Sequence, residues 1–214
     1  MARTLPRRPF LYAIVDVASL GGRRVGAAVT DLASGGAGLV QLRAKGTADG
    51  LFLELAREAV AAARAAGVPV LVNDRPDIAR IAGADGVHLG QEDLRPAEAR
   101  RLLPPDALVG LSTHDTEQAV LASAEPVDYV AVGPVFPTRT KAHPDPVLGP
   151  DFVRRVRSMV PQPLVAIGGI DAANAAEVVR AGADGVAVVS ALLSREDVTE
   201  AAREMCRAVR APGP

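Results

Sequence analysis

With 214 residues, 49 % of them apolar and 23 % charged, the chain has a globular composition and enough length to bury one sizeable α/β core, which excludes a disordered or fibrous protein. A formal net charge of −1 excludes a broadly basic surface for nucleic acid, and 3 % aromatics with no Trp leave few rings for base stacking. Any anion site must therefore be local. The single Cys206 excludes an intramolecular disulfide framework and most cysteine metal sites, in agreement with a cytoplasmic location. Arg3, Arg7 and Arg8 precede an apolar run over 10–15, but Asp16 interrupts it. That run is too short for a signal segment or a membrane span.

Strands are expected over 11–17, 38–43, 68–72, 86–89, 107–111, 129–132, 164–167 and 185–189, with helical periodicity over 51–66, 96–103, 116–124, 152–159, 172–181 and 196–210. Eight strand-helix units imply a parallel sheet with crossover helices, and their number favours closure into a single (β/α)8 TIM barrel spanning 1–214 as one catalytic domain. An open doubly wound sheet is the alternative. The hexapeptide AGADGV starts at Ala82 and again at Ala181. It equates the fourth and eighth strands, as a barrel of two four-unit halves would, although convergent turn chemistry gives the same pattern.

In such a barrel polar groups at the strand C-termini carry function. Asp16 ends the first strand with no evident chemistry. Gln41, Arg43 and Lys45 follow at period two, separated by Leu42 and Ala44, so the three donors project to one face and suit a diphosphate. Asn73 and Asp74 end the third strand, and Asp74 is either a helix N-cap or a metal ligand. His88 and Asp93 follow the fourth strand. Asp74 with Asp93 makes a platform for Mg²⁺, while His88 reads equally as a satisfied inward-facing histidine.

Ser112 and His114 follow the fifth strand. No GxSxG elbow surrounds the serine, so it hydrogen-bonds a ligand rather than attacking one, and Thr113 or Asp115 caps the next helix. After the sixth strand comes GPVFPTRTK over 133–141, whose prolines stiffen a segment carrying Thr138, Arg139, Thr140 and Lys141. That segment is either an anion grip or a solvated polar loop, and His143 beyond it is solvated. Gly169, Val189 and Ser190, at the ends of the last two strands, offer a second anion site through close backbone approach. Two phosphorylated ligands meeting in one barrel account for both sites. Cys206 lies in a helical pattern and is a poor nucleophile.

QLRAK from Gln41, NDR from Asn73, GVHLGQED from Gly86, GLSTH from Gly110, GPVFPTRTK from Gly133, AIGGI from Ala166 and GVAVVSA from Gly185 together resemble the thiamine-phosphate synthase family. The resemblance implies a (β/α)8 barrel, Mg²⁺ as cofactor, and coupling of a pyrimidine diphosphate with a thiazole phosphate, with release of diphosphate. Carried over by motif, Gln41, Leu42, Arg43, Ala44, Lys45, Asn73, Ser112 and Lys141 form the pyrimidine diphosphate site. Arg43, Lys141 and Ser112 are its catalytic residues. Thr138, Arg139, Thr140, Gly169, Val189 and Ser190 form the thiazole phosphate site, and Asp74 and Asp93 hold the metal. The implied partners are these small molecules, with neither nucleic acid nor membrane, and a homo-oligomer is open. One alternative is a thiazole tautomerase of the same superfamily, with His114 as its proton-transfer residue. The other is a non-catalytic phosphate-metabolite binding protein.

Overall fold

A computed structural model describes residues 4–138 and 146–211, and each of the eight apolar runs is a strand in it. β1 (Phe10–Asp16), β2 (Leu39–Arg43), β3 (Val70–Asn73), β4 (Gly86–Leu89), β5 (Leu108–Thr113), β6 (Tyr129–Val132), β7 (Leu164–Ile167) and β8 (Gly185–Val188) pair in chain order. All the pairs are parallel, and β8 returns to β1 through Phe10↔Gly185 to Ala13↔Val188, which closes the (β/α)8 barrel. The crossovers are α1 (Val25–Ser34), α2 (Asp49–Ala66), α3 (Pro76–Ala82), α4 (Pro96–Leu102), α5 (Thr116–Ala122), α6 (Pro150–Arg157) and α7 (Ala175–Arg180). α8 (Ser190–Leu193) and α9 (Val198–Arg210) follow the last strand.

The differences from the expected elements have local causes. α1 and α3 escaped the periodicity: α3 is two turns long, and α1 carries Gly26 and the β-branched Val25, Val29 and Thr30, which are weak helix formers. β3 and β5 run further than expected, to Asn73 and Thr113, because the ladder continues through Asn73↔His88 and Ser112↔Ala131. The change to polar residues marks where the strand reaches the cavity, not where its pairing ends. β1 stops one residue early because the Asp16 side chain accepts from Ala18 N and caps a 3-10 turn. Asp115, rather than Thr113, caps α5 by accepting from Gln118 N at 2.7 Å. Thr113 is fully buried and donates to Ala131 O.

Strand alternation sends Val72, Val87, Val109 and Val130 toward the helical layer and leaves Tyr12, Gln41, His88 and Ser112 facing inward. Gly110 makes room inside: a Cβ there would sit 2.0 Å from Cζ of the Tyr129 ring. Cys206 is buried on α9 and donates from Sγ to Gly36 O, and burial pushes its thiol up from the ordinary value, which disfavours the nucleophilic thiolate.

The AGADGV echo has a mechanical basis that extends beyond the two copies. Asp85 Oδ2 accepts from Val70 N at 2.9 Å, and Asp184 Oδ2 accepts from Leu164 N at 2.9 Å. Asp128, which enters β6 without the hexapeptide, accepts from Val109 N at 2.7 Å in the same way. Each aspartate reaches back to an amide at the start of the preceding strand. The two copies of the hexapeptide thus do the same mechanical work at β4 and β8, and β6 shares the device without sharing the sequence. Replacing Asp128 with Ala strands the Val109 amide and removes the partner of Arg100 Nη2. Urea unfolding is expected to show a loss of about 2 kcal/mol; an unchanged midpoint would remove the clasp from the forces holding the barrel base.

Candidate active site

The C-terminal mouth of the barrel opens into a cavity of about 930 Å³, including its open entrance. One side is built from β2, β3 and β5, which present Arg43, Asn73 and Ser112. The other is built from the ends of β7 and β8, which present Gly168, Gly169, Val189 and Ser190. The floor between them carries Tyr12, Gln41 and His88.

Arg43 is fixed before any ligand arrives. Its Nη1 donates to Asp16 Oδ2, and the two residues sit opposite each other in the β1–β2 register. Asp16 is buried, and its other oxygen is held by Ala18 N at 3.1 Å. A single carboxylate thus sets the direction of the guanidinium across the cavity wall. Sequence reasoning assigned Asp16 no role, since only the strand register brings it beside Arg43.

The floor is polar, and its side chains bond one another. Gln41 Nε2 donates to Tyr12 Oη at 2.6 Å, and the Tyr12 and Tyr129 hydroxyls lie 2.9 Å apart. His88 Nδ1 is 2.7 Å from Tyr129 Oη, and its Nε2 is 2.8 Å from Ser112 Oγ. The His88 and Tyr129 rings stack with centroids 5.6 Å apart. Burial raises both phenols well above the ordinary tyrosine range, so each remains a protonated donor. The imidazole partner of Ser112 is therefore His88, not its sequence neighbour His114. His114 lines the cavity and places Nδ1 2.7 Å from Gly133 O.

The period-two row divides where β2 ends. Gln41 and Arg43 face the cavity, whereas Lys45 lines an adjacent recess with Ala44, Gly46, Thr47, Asn73 and Asp74. The Leu42 side chain is fully buried on the opposite face of β2. Lys45 Nζ lies 3.3 Å from Asp74 Oδ2. Asp74 does not cap α3: Arg75 holds the N-cap position, and Asp74 adopts φ 63°, the left-handed region that non-glycine residues seldom occupy. Burial, followed by the hydrogen bond and charge of Asp93, pushes the Asp74 carboxyl up to about 6 against the opposing effect of Lys45. Asp93 Oδ2 accepts from Gly90 N at 2.7 Å. Two carboxylates forced together beside Lys45 form a donor set suited to a hard divalent cation. Among the described residues no group of three or more His, Cys, Asp or Glu comes together to hold a metal ion.

Across the cavity, Gly168 and Gly169 have φ of 100° and 63° and pack tightly on the segment after β6. A Cβ at Gly168 would lie 2.5 Å from Pro134 Cβ, and one at Gly169 would lie 2.4 Å from Pro137 O. Val135 N donates to Ile167 O, and Phe136 N donates to Gly168 O, both at 2.9 Å. Residues 133–138 are thus bonded onto the end of β7, with Thr138 lining the cavity. Arg139, Thr140, Lys141 and His143 lie outside the described residues.

The sequence matches the family described as thiamine monophosphate synthase over residues 11–192. The chain belongs to the thiamine monophosphate synthase family. Within the family it is similar to the thiamine-phosphate synthase of Chloroflexus aurantiacus, 46 % identical over 91 % of this chain and 90 % of that one. The thiamine-phosphate synthase of Methanocella arvoryzae is 48 % identical over 80 % and 81 %. The structure of a thiamine phosphate pyrophosphorylase from Pyrococcus furiosus superposes with a TM-score of 0.84 at 34 % identity, covering 94 % of this chain and 95 % of that one. Family membership makes this chain a transferase of thiamine biosynthesis. Among the described residues no helix is long and apolar enough to cross a membrane.

The raised carboxyl of this family member has a thermodynamic consequence. A carboxyl whose folded pKa lies above its unfolded value binds protons more tightly when folded, so stability falls as pH rises through that window. Asp74→Asn removes the unfavourable charge and suits the left-handed backbone better. In buffer free of divalent cations the variant is expected to melt above the unsubstituted protein at pH 7, with the gap closing as pH falls from about 6 toward the ordinary aspartate value. Equal melting temperatures at pH 7 would count against a strained carboxylate pair.

Proposed function

We propose that the chain is a thiamine-phosphate synthase that couples 4-amino-2-methyl-5-(diphosphooxymethyl)pyrimidine with thiazole phosphate to give thiamine phosphate and diphosphate, or with its carboxylated form to give the same products and CO2. The observation that carries this is that one cavity brings together two separate groups of donors suited to anions. Arg43, Asn73 and Ser112 stand on one side, and Thr138, Gly169, Val189 and Ser190 stand on the other. A protein built to hold one phosphorylated metabolite needs only one of them.

The chemistry follows from the leaving group. The scissile bond joins diphosphate to an exocyclic methylene on an electron-rich aminopyrimidine, so it breaks dissociatively when the departing charge is stabilised. Arg43, aimed by Asp16, and Lys45, beside Asp74, supply preorganised donors for that charge. Lys141 is assigned to the same task. Mg²⁺, held by Asp74 and Asp93, would neutralise part of the charge on the departing diphosphate. The thiazole nitrogen then attacks the cationic methylene with its own lone pair, and no general base is required. The far wall positions the thiazole phosphate so that the nitrogen is in reach when the bond opens.

A tautomerase acting on the thiazole alone would use His114 for proton transfer and would need neither the diphosphate wall nor the carboxylate pair. The test supplies both substrates and Mg²⁺ to the purified protein: diphosphate and thiamine phosphate are expected in equal amounts. Isomerisation of the thiazole without coupling would assign the tautomerase instead. Lys141→Ala is expected to cut kcat for coupling by about 100-fold or more, as for other preorganised charge-stabilising donors. Asp93→Asn should raise the Mg²⁺ concentration needed for half-maximal rate, and a rate flat across Mg²⁺ concentrations would remove Asp93 from the metal platform.

A further inference from the structure

Beneath the cavity a hydrogen-bonded path crosses the barrel from β2 to β5, through Gln41, Tyr12, Tyr129, His88 and Ser112, with donor-acceptor distances of 2.6, 2.9, 2.7 and 2.8 Å. Gln41, Tyr12, His88 and Ser112 line the cavity, while Tyr129 is fully buried below it and absent from its walls. Each phenol has one proton to give. Because Tyr12 Oη accepts from Gln41 Nε2, its own proton goes to the Tyr129 hydroxyl 2.9 Å away. The Tyr129 proton then goes to His88 Nδ1. An imidazole that accepts at Nδ1 carries its proton on Nε2, and that proton is directed at Ser112 Oγ. With an incoming donor on Oγ, the serine hydroxyl keeps its own proton for the cavity.

We propose that this path is a directional relay that makes Ser112 a hydrogen-bond donor toward the bound pyrimidine substrate, with Tyr129 a positioning residue that acts through His88. The substrate atom facing Ser112 is then an acceptor, a ring nitrogen or an oxygen. A ligand that places an N–H there meets a second proton and is rejected, so the relay sets specificity as well as orientation. A serine hydroxyl on its own rotates among three staggered positions, and the relay selects between donating and accepting without touching the ligand. The assignment of the ligand rests on the synthase function proposed above; the polarity of the path does not.

Histidine-labelled protein tests the polarity directly. Nitrogen-proton spectra, with the His88 signals assigned through His88→Gln, are expected to show a protonated Nε2 and a bare Nδ1 at neutral pH. The opposite tautomer would overturn the relay: Gln41 would then present its carbonyl oxygen, and Ser112 would give its proton to the imidazole. This measurement requires no activity, so it decides the relay even if the protein makes no thiamine phosphate, a result that would count against the function alone. In the active protein, Tyr129→Phe is expected to lower kcat/KM for the pyrimidine diphosphate about tenfold, the scale of one net hydrogen bond. With Ser112 already replaced by Ala, the same substitution is expected to cost less than about twofold, because coupled residues are not additive. Equal losses in the two backgrounds would reduce Tyr129 to a packing residue and sink the relay.

Discussion

A closed barrel of eight strands has an interior just wide enough for side chains, and whatever polar group enters it must find its partner among the other strands. Here the interior is occupied by two phenols, an imidazole and an amide drawn from β1, β2, β4 and β6. Satisfying them fixes much of the rest. Gly110 must lack a side chain so that the Tyr129 ring can lie across the centre. His88 must turn both nitrogens to neighbours, and the serine and glutamine at the two ends are oriented before any ligand enters. The floor of the site is thereby tied together across four strands and Ser112 of β5.

The carboxylates at the mouth follow a different logic. Asp16 is compensated within the protein by Arg43, whereas Asp74 and Asp93 oppose each other and Lys45 compensates only in part. The strained φ of Asp74 lies in the same place. Strain and like charge thus coincide at one recess, the kind of local cost that proteins retain where function requires it.

How much of this the sequence disclosed depended on whether the informative relation was local. Strand positions and barrel closure were legible because apolar runs and their spacing are local properties. The clusters Gln41 with Arg43, Asn73 with Asp74, and Ser112 with His114 were legible because each sits where apolar gives way to polar. Cross-strand relations were not. Asp16 meets Arg43, and His88 meets Ser112, only through register, so one acquired no role in the sequence reading and the other stayed ambiguous. The division of Lys45 from Gln41 and Arg43 was hidden for a related reason: period two holds only while the chain remains a strand, and β2 ends at Arg43.

The aspartates at the base bear on how the barrel assembles. Each joins a strand to the one immediately before it, across 15, 19 and 20 residues for Asp85, Asp128 and Asp184. Links of such short range close with little loss of chain entropy, so β3 with β4, β5 with β6, and β7 with β8 can form as local units early in folding. The seam between β8 and β1 joins opposite ends of the chain, so it carries a larger loop-closure cost than any of those links. The floor of polar groups, which needs Tyr12 from β1 to complete it, depends on that costly closure.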